Sequence, residues 1–98
     1  MYVKIHKSYR SVVAVCDVDL IGKLFEEGKK QLHARESFYK GEDLNYEEVV
    51  KVLKIQSRED ATFNIIGEKS VKAAIDAEII TEDEVAYVQG IPFLIVLL

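Results

Sequence analysis

One cysteine, one proline and two histidines are all this chain holds of the residues that usually build disulfide frameworks, linkers and metal sites. A lone Cys16 forms no internal disulfide, which fits a reducing compartment. His6 and His33 do not stand at metal-ligand spacing from Cys16 or from each other, so neither a metal nor any other cofactor is expected. Cys16 as a nucleophile would need an activating base; at the end of an apolar run it reads as a buried, inert thiol. No carboxylates stand out as a general acid and base pair, and no catalytic residue is nominated. Stretches rich in Pro, Gly or Ser, repeats and low-complexity tracts are all missing. The 98 residues are therefore expected to form a single domain over 1–98. The apolar tail Ile91–Leu98 falls far short of the ~20 residues of a membrane helix. Met1–Tyr9 interleaves charges with apolar residues and lacks a secretory pattern. The expectation is a cytoplasmic protein without membrane contact. Scarce Asn, Gln, Cys and Met beside abundant charge resemble a thermophile composition.

What is present excludes wholesale disorder: 49% of residues are apolar and 31% charged, enough to bury one ordinary core. The net charge of −4 gives no bulk attraction for nucleic acid. The charge is unevenly spread, however. Residues 1–16 carry Lys4, Lys7 and Arg10 and no acid, whereas residues 42–48 carry Glu42, Asp43, Glu47 and Glu48 and no base. Glu82, Asp83 and Glu84 make a second acidic cluster.

Hydrophobic periodicity divides the chain into elements. Tyr2–Lys7 alternates, with Tyr2, Lys4 and His6 on one side and Val3 and Ile5 on the other, as a half-buried strand does. Ser8, Tyr9 and Arg10 read as a turn. Ser11–Cys16 is a β-branched run suited to a central strand buried on both faces, so the two should form a hairpin. Asp17 and Asp19 can cap a short helical turn at Leu20–Gly22. Glu26-Glu27-Gly28 reads as a turn between short extended segments, the second over Lys30–Arg35. Asn45 and Glu48 have the spacing of a capping box, opening a helix that ends near Gln56 or Ser57. Ala61–Ile66 is a strand, Gly67 opens a helix over Glu68–Ala77, and Val85–Val88 and Pro92–Leu97 close the chain as strands. Pro92 has no amide donor and belongs at a strand start or edge. The fold class expected is α+β: a mixed or mainly antiparallel sheet of about five strands carrying two main helices.

Four segments give the chain a resemblance. They are Val12-Val13-Ala14-Val15-Cys16-Asp17, Ser37-Phe38-Tyr39-Lys40-Gly41-Glu42, Ala61-Thr62-Phe63-Asn64-Ile65-Ile66-Gly67-Glu68-Lys69-Ser70 and Gln89-Gly90-Ile91-Pro92. Together they resemble an archaeal domain-of-unknown-function family, number four-two-four. None is a catalytic signature. The resemblance implies an archaeal cytoplasmic protein and a link to translation or RNA. It also implies Gly at position 78, where a left-handed helix cap would suit it; Glu78 stands there instead.

Three places could carry binding. At Asn64-Ile65-Ile66-Gly67-Glu68-Lys69-Ser70 a strand enters a glycine and a helix begins, so free amides, with Asn64, Gly67, Lys69 and Ser70, could hold a small anion or nucleotide. Only one glycine is present, Glu68 would repel an anion, and the bland alternative is an ordinary junction. The loop with Tyr39, Lys40 and Gly41 could stack unpaired bases and meet a phosphate; the alternative puts Phe38 in the core and Tyr39 half-buried at its rim. Lys4, His6, Lys7 and Arg10 on the first hairpin could contact phosphates, or form a solvated face that guards a sheet edge. Lys29, Lys30, Arg35 and Lys40 could join them in one patch. The leading expectation is a non-catalytic RNA- or ribosome-associated factor linked to translation. The alternatives are an interaction module assembling through a sheet edge, including a homodimer through the apolar tail, and an anion binder at Gly67.

Overall fold

Alternation in Tyr2–His6 and the β-branched run Val12–Cys16 produce an antiparallel hairpin, strands β1 and β2, with Tyr2 opposite Cys16 and His6 opposite Val12. The structure, a computed structural model, describes residues 1–97. Leu98, the end of the apolar tail, lies outside the described residues. After β2 the chain makes a 3-10 turn at Val18–Leu20 and a second hairpin of β3 (Leu24–Glu27) and β4 (Lys30–His33). Helix α1 (Glu36–Tyr39), strand β5 (Glu42–Asp43) and helix α2 (Tyr46–Arg58) follow. Strand β6 (Thr62–Ile66) then pairs in parallel with β2. Helix α3 (Glu68–Asp76), strand β7 (Ala86–Val88) and strand β8 (Ile91–Val96) complete it.

The main sheet is mixed and six-stranded, in the order β5-β1-β2-β6-β8-β7, and β3 with β4 forms a separate two-stranded sheet. The expected α+β class holds, with the two-residue β5 as an extra edge strand. The central position of β2 explains its composition. Val13 and Val15 face α2 and α3, joining Val49, Leu53, Phe63, Val71 and Ala74 in one core. Ala14 and Cys16 face the other way, into a second core with Leu32 of β4, Tyr39 of α1 and Val88 of β7. A sheet covered on both faces needs apolar residues at every position of its middle strand.

Two segments depart from the sequence expectation. The helical turn expected at Leu20–Gly22 lies at Val18–Leu20, and the Asp17 side chain does not cap it. Ser37–Tyr39, read as part of a loop, lies in α1. Four residues are too few to display a periodic stripe, which is why the pattern is silent there.

The helix ends are built by local hydrogen bonding. Asn45 Oδ1 accepts from the Glu48 amide at 2.9 Å and Glu48 Oε1 accepts from the Asn45 amide at 3.0 Å, completing the expected capping box. At the end of α3, the Ile79 amide donates to Ala74 O at 3.0 Å and the Glu78 amide to Ile75 O at 2.9 Å. Glu78 sits at φ +62°. This is a Schellman ending with a non-glycine residue at its left-handed position. Glu78 therefore takes the conformation for which the family resemblance implied glycine.

Candidate functional site

Strands β2 and β6 run side by side and end at Cys16 and Ile66. Beyond those ends the chain diverges: Leu20 turns to the face of β4, whereas α3 packs on the opposite face. Divergence after neighbouring parallel strands opens a crevice at their carboxyl ends, a common place for ligands. A cavity of 520 Å³ lies there, bordered by Asp17, Asp19, Glu68 and Lys69.

Two amides at the start of α3, those of Lys69 and Ser70, are nevertheless already taken. Asp17 Oδ2 accepts from the Lys69 amide at 3.1 Å. Asp17 Oδ1 accepts from the Ser70 amide at 2.9 Å and the Ser70 hydroxyl at 2.6 Å. Asp17 is only 7% exposed, and its carboxylate satisfies donors at the positive end of the helix dipole. Gly67, at φ +111°, makes room for it: a Cβ there would stand 2.3 Å from Asp17 Cγ. Gly67, Lys69 and Ser70 thus surround an anion supplied by the chain itself, the Asp17 carboxylate. Asn64 is not part of this group; it lies inside β6 between Ala14 and Ile95.

A second assembly surrounds α1. Lys4 Nζ donates to Ser37 O at 2.8 Å, and His6 Nε2 is 2.8 Å from Phe38 O, which can only accept. Both side chains of β1 thereby meet carbonyl groups of the short helix. The His6 ring stacks on Phe38 with centroids 4.5 Å apart and planes 17° apart. Phe38 meets the edge of Tyr39 at 5.0 Å. The aromatic roles are the reverse of those expected: Phe38 is half-buried, while Tyr39 is 8% exposed and belongs to the core. Burial pushes the Tyr39 hydroxyl up to about 12, with a smaller contribution from Cys16. The Tyr39 ring therefore offers no open face to a base. Gly41 lets its loop lie on β1, since a Cβ would fall 2.1 Å from Val3 O. Lys40 is exposed beside it.

His33 and Arg35, both exposed, complete this surface. Arg35 Nε donates to His33 Nδ1 at 3.3 Å. With Ser37, Phe38 and Tyr39 they line a cavity of 310 Å³. Sequence reasoning reaches His33 only as a metal ligand, and its spacing does not fit one. Its place was readable from the alternation about buried Leu32 and Ala34, which puts His33 and Arg35 outward. Lys7 and Arg10 lie in the β1–β2 turn, at the end of the sheet away from Asp17. A five-residue strand puts about 17 Å between the two ends.

Cys16 is fully buried, and burial, then the nearby Asp17 and Asp19 charges, pushes its thiol up to about 12. It is held protonated and unreactive at neutral pH. Among the described residues no group of three or more His, Cys, Asp or Glu side chains could hold a metal ion. Among them also, no helix is long and apolar enough to cross a membrane.

Residues 5–98 match the model of a family described as "Protein of unknown function (DUF424)". The fold is similar to that of an uncharacterized conserved protein from Methanopyrus kandleri, known from a crystal structure. The two share 29% identity with a TM-score of 0.84, over 96% of this chain and 87% of that one. No curated protein matches.

Proposed function

The chain belongs to the DUF424 family of proteins of unknown function, and from that premise we propose a non-catalytic, RNA- or ribosome-associated role in archaeal translation, exercised by the surface around α1. One observation carries the proposal. Lys4, His6, His33, Arg35 and Lys40 gather about α1; the helix's own acid, exposed Glu36, lies toward Gly22 and is not among the residues that line the cavity between β4 and α1. Both histidines of the chain are among them.

On a protein of net charge −4, a local cationic surface is what can meet a phosphate backbone. Arg35 supplies a planar donor fork suited to phosphate. Lys4 uses one ammonium donor on Ser37 O and keeps two for a ligand. The half-buried Phe38 and the His6 ring stacked on it give an apolar edge against which an unpaired base can pack. A small-anion role at Gly67 is less well supported, because a ligand there would have to displace Asp17 from Lys69 and Ser70.

Affinity capture from an archaeal lysate, with and without nuclease, tests this role. Recovery of RNA and ribosomal proteins at low salt, lost on nuclease treatment, is expected. Recovery of neither would overturn it.

A further inference from the structure

Among the described residues the main sheet ends on one side at β7, which pairs with β8; β3 reaches the turn end of that edge, where Glu27 Oε1 accepts from the Gln89 amide and Glu26 O from the Gln89 side-chain amide, each at 2.7 Å. Gln89 and Gly90, at φ +51° and +75°, make the two-residue turn between them. In such a hairpin the flanking pair Val88–Ile91 exchanges hydrogen bonds, and pairs alternate from there. The Tyr87–Pro92 pair is therefore the non-bonded kind. The opposite edge of β8 agrees, because Pro92 O accepts from the Gly67 amide at 2.9 Å, toward β6. The Tyr87 amide and carbonyl consequently point outward, away from the sheet. An open edge of this sort accepts an added strand.

A groove runs beside that edge. Its floor is Val71 and Ile75 of α3 with Val85, Tyr87 and Pro92, and its volume is 560 Å³. Tyr87 is 53% exposed, although it lies on the face of the sheet that α3 covers. The charges at the groove are mostly acidic. Glu68 stands at the start of α3, and Glu82 borders both this groove and the neighbouring cavity at Ile75, toward the helix end. The one cation at the groove, Lys72, has its ammonium 6.0 Å from the Tyr46 ring centroid on the α2 side. The groove is thus apolar in its middle and acidic at both ends.

We propose that this groove, between α3 and the β7 edge at Tyr87, docks an extended peptide as an added strand, with an apolar side chain seated on Val71, Ile75 and Tyr87 and basic residues reaching Glu68 and Glu82. In an extended chain every second side chain points the same way. The fitting segment therefore reads basic, any, apolar, any, basic. The site lies on the opposite face of the sheet from α1 and does not depend on the RNA-binding role.

Selection of random nonamer peptides against the intact protein tests the proposal. The expected winners carry an apolar residue with Lys or Arg two positions to each side. Their binding should perturb the amides of Val71, Ile75, Val85 and Tyr87, slow hydrogen exchange at Tyr87, and weaken about fivefold in the Glu68→Gln, Glu82→Gln double variant. Both glutamates are exposed, so an unchanged melting temperature separates lost binding from lost folding. No enrichment, winners without basic residues, self-association through this edge in the absence of peptide, or unaltered binding by the double variant would each overturn it.

Discussion

Asp17 and Ser70, far apart in sequence, are joined twice: Asp17 Oδ1 accepts from both the amide and the hydroxyl of Ser70, at 2.9 and 2.6 Å. The residue preceding α3 is Gly67, which has no side chain to cap the helix. The cap comes instead from the end of β2. The same contact therefore ties the central strand to the helix and fills what would otherwise be an anion site.

Removing that carboxylate leaves the buried Ser70 hydroxyl and two helix amides without partners. Asp17→Ala should cost about 2–3 kcal/mol. The check is a urea titration, in which the midpoint falls at an unchanged slope. A change below about 0.5 kcal/mol, the scale of ordinary surface substitutions, would show that the contact contributes little.

Glu78 at φ +62° closes the Schellman turn of α3 with a side chain that disfavours that conformation. Glu78→Gly should stabilise the protein by about 0.5–1 kcal/mol, the relief of the left-handed penalty exceeding the extra freedom of glycine when unfolded. A lower melting temperature in the variant would contradict the assignment of this helix end.

Folding holds Cys16 at about 12 against an ordinary 9.0 and Tyr39 at about 12 against 10.0. Both groups ionise more readily unfolded. The stability they contribute is whole below pH 9 and is lost as pH rises toward 12. Melting temperature should therefore fall more steeply above pH 9 in the natural protein than in Cys16→Ala. Iodoacetamide should label Cys16 at pH 8 only after denaturation. Equal slopes with rapid native labelling would mean that the thiol is accessible.

Much of this architecture is legible in order of sequence. The alternation of Tyr2–His6, the β-branched β2 and the Asn45–Glu48 box each encode their element in adjacent residues. What adjacent residues cannot encode is the partner across the fold. The sequence around Gly67 advertises an open helix start, and only the β2–β6 pairing brings Asp17 to occupy it. Lys4 and His6 likewise resemble a solvated strand face, yet each is tied to a carbonyl of α1, Lys4 by one of its three donors. Tyr39 and Phe38 are adjacent aromatics whose exposure depends on which way a four-residue helix turns.

Binding of a fluorescent single-stranded RNA of about a dozen nucleotides, measured across a salt series, probes the α1 surface most directly. Each phosphate contacted adds about 0.7 to the steepness of log affinity against log salt. Contact through Lys4, Arg35 and Lys40 gives a slope near −2, and the Arg35→Gln, Lys40→Gln double variant should flatten it by about 1.4 without lowering the melting temperature. A slope near zero, or one that the double variant leaves unchanged, would contradict RNA binding at this surface.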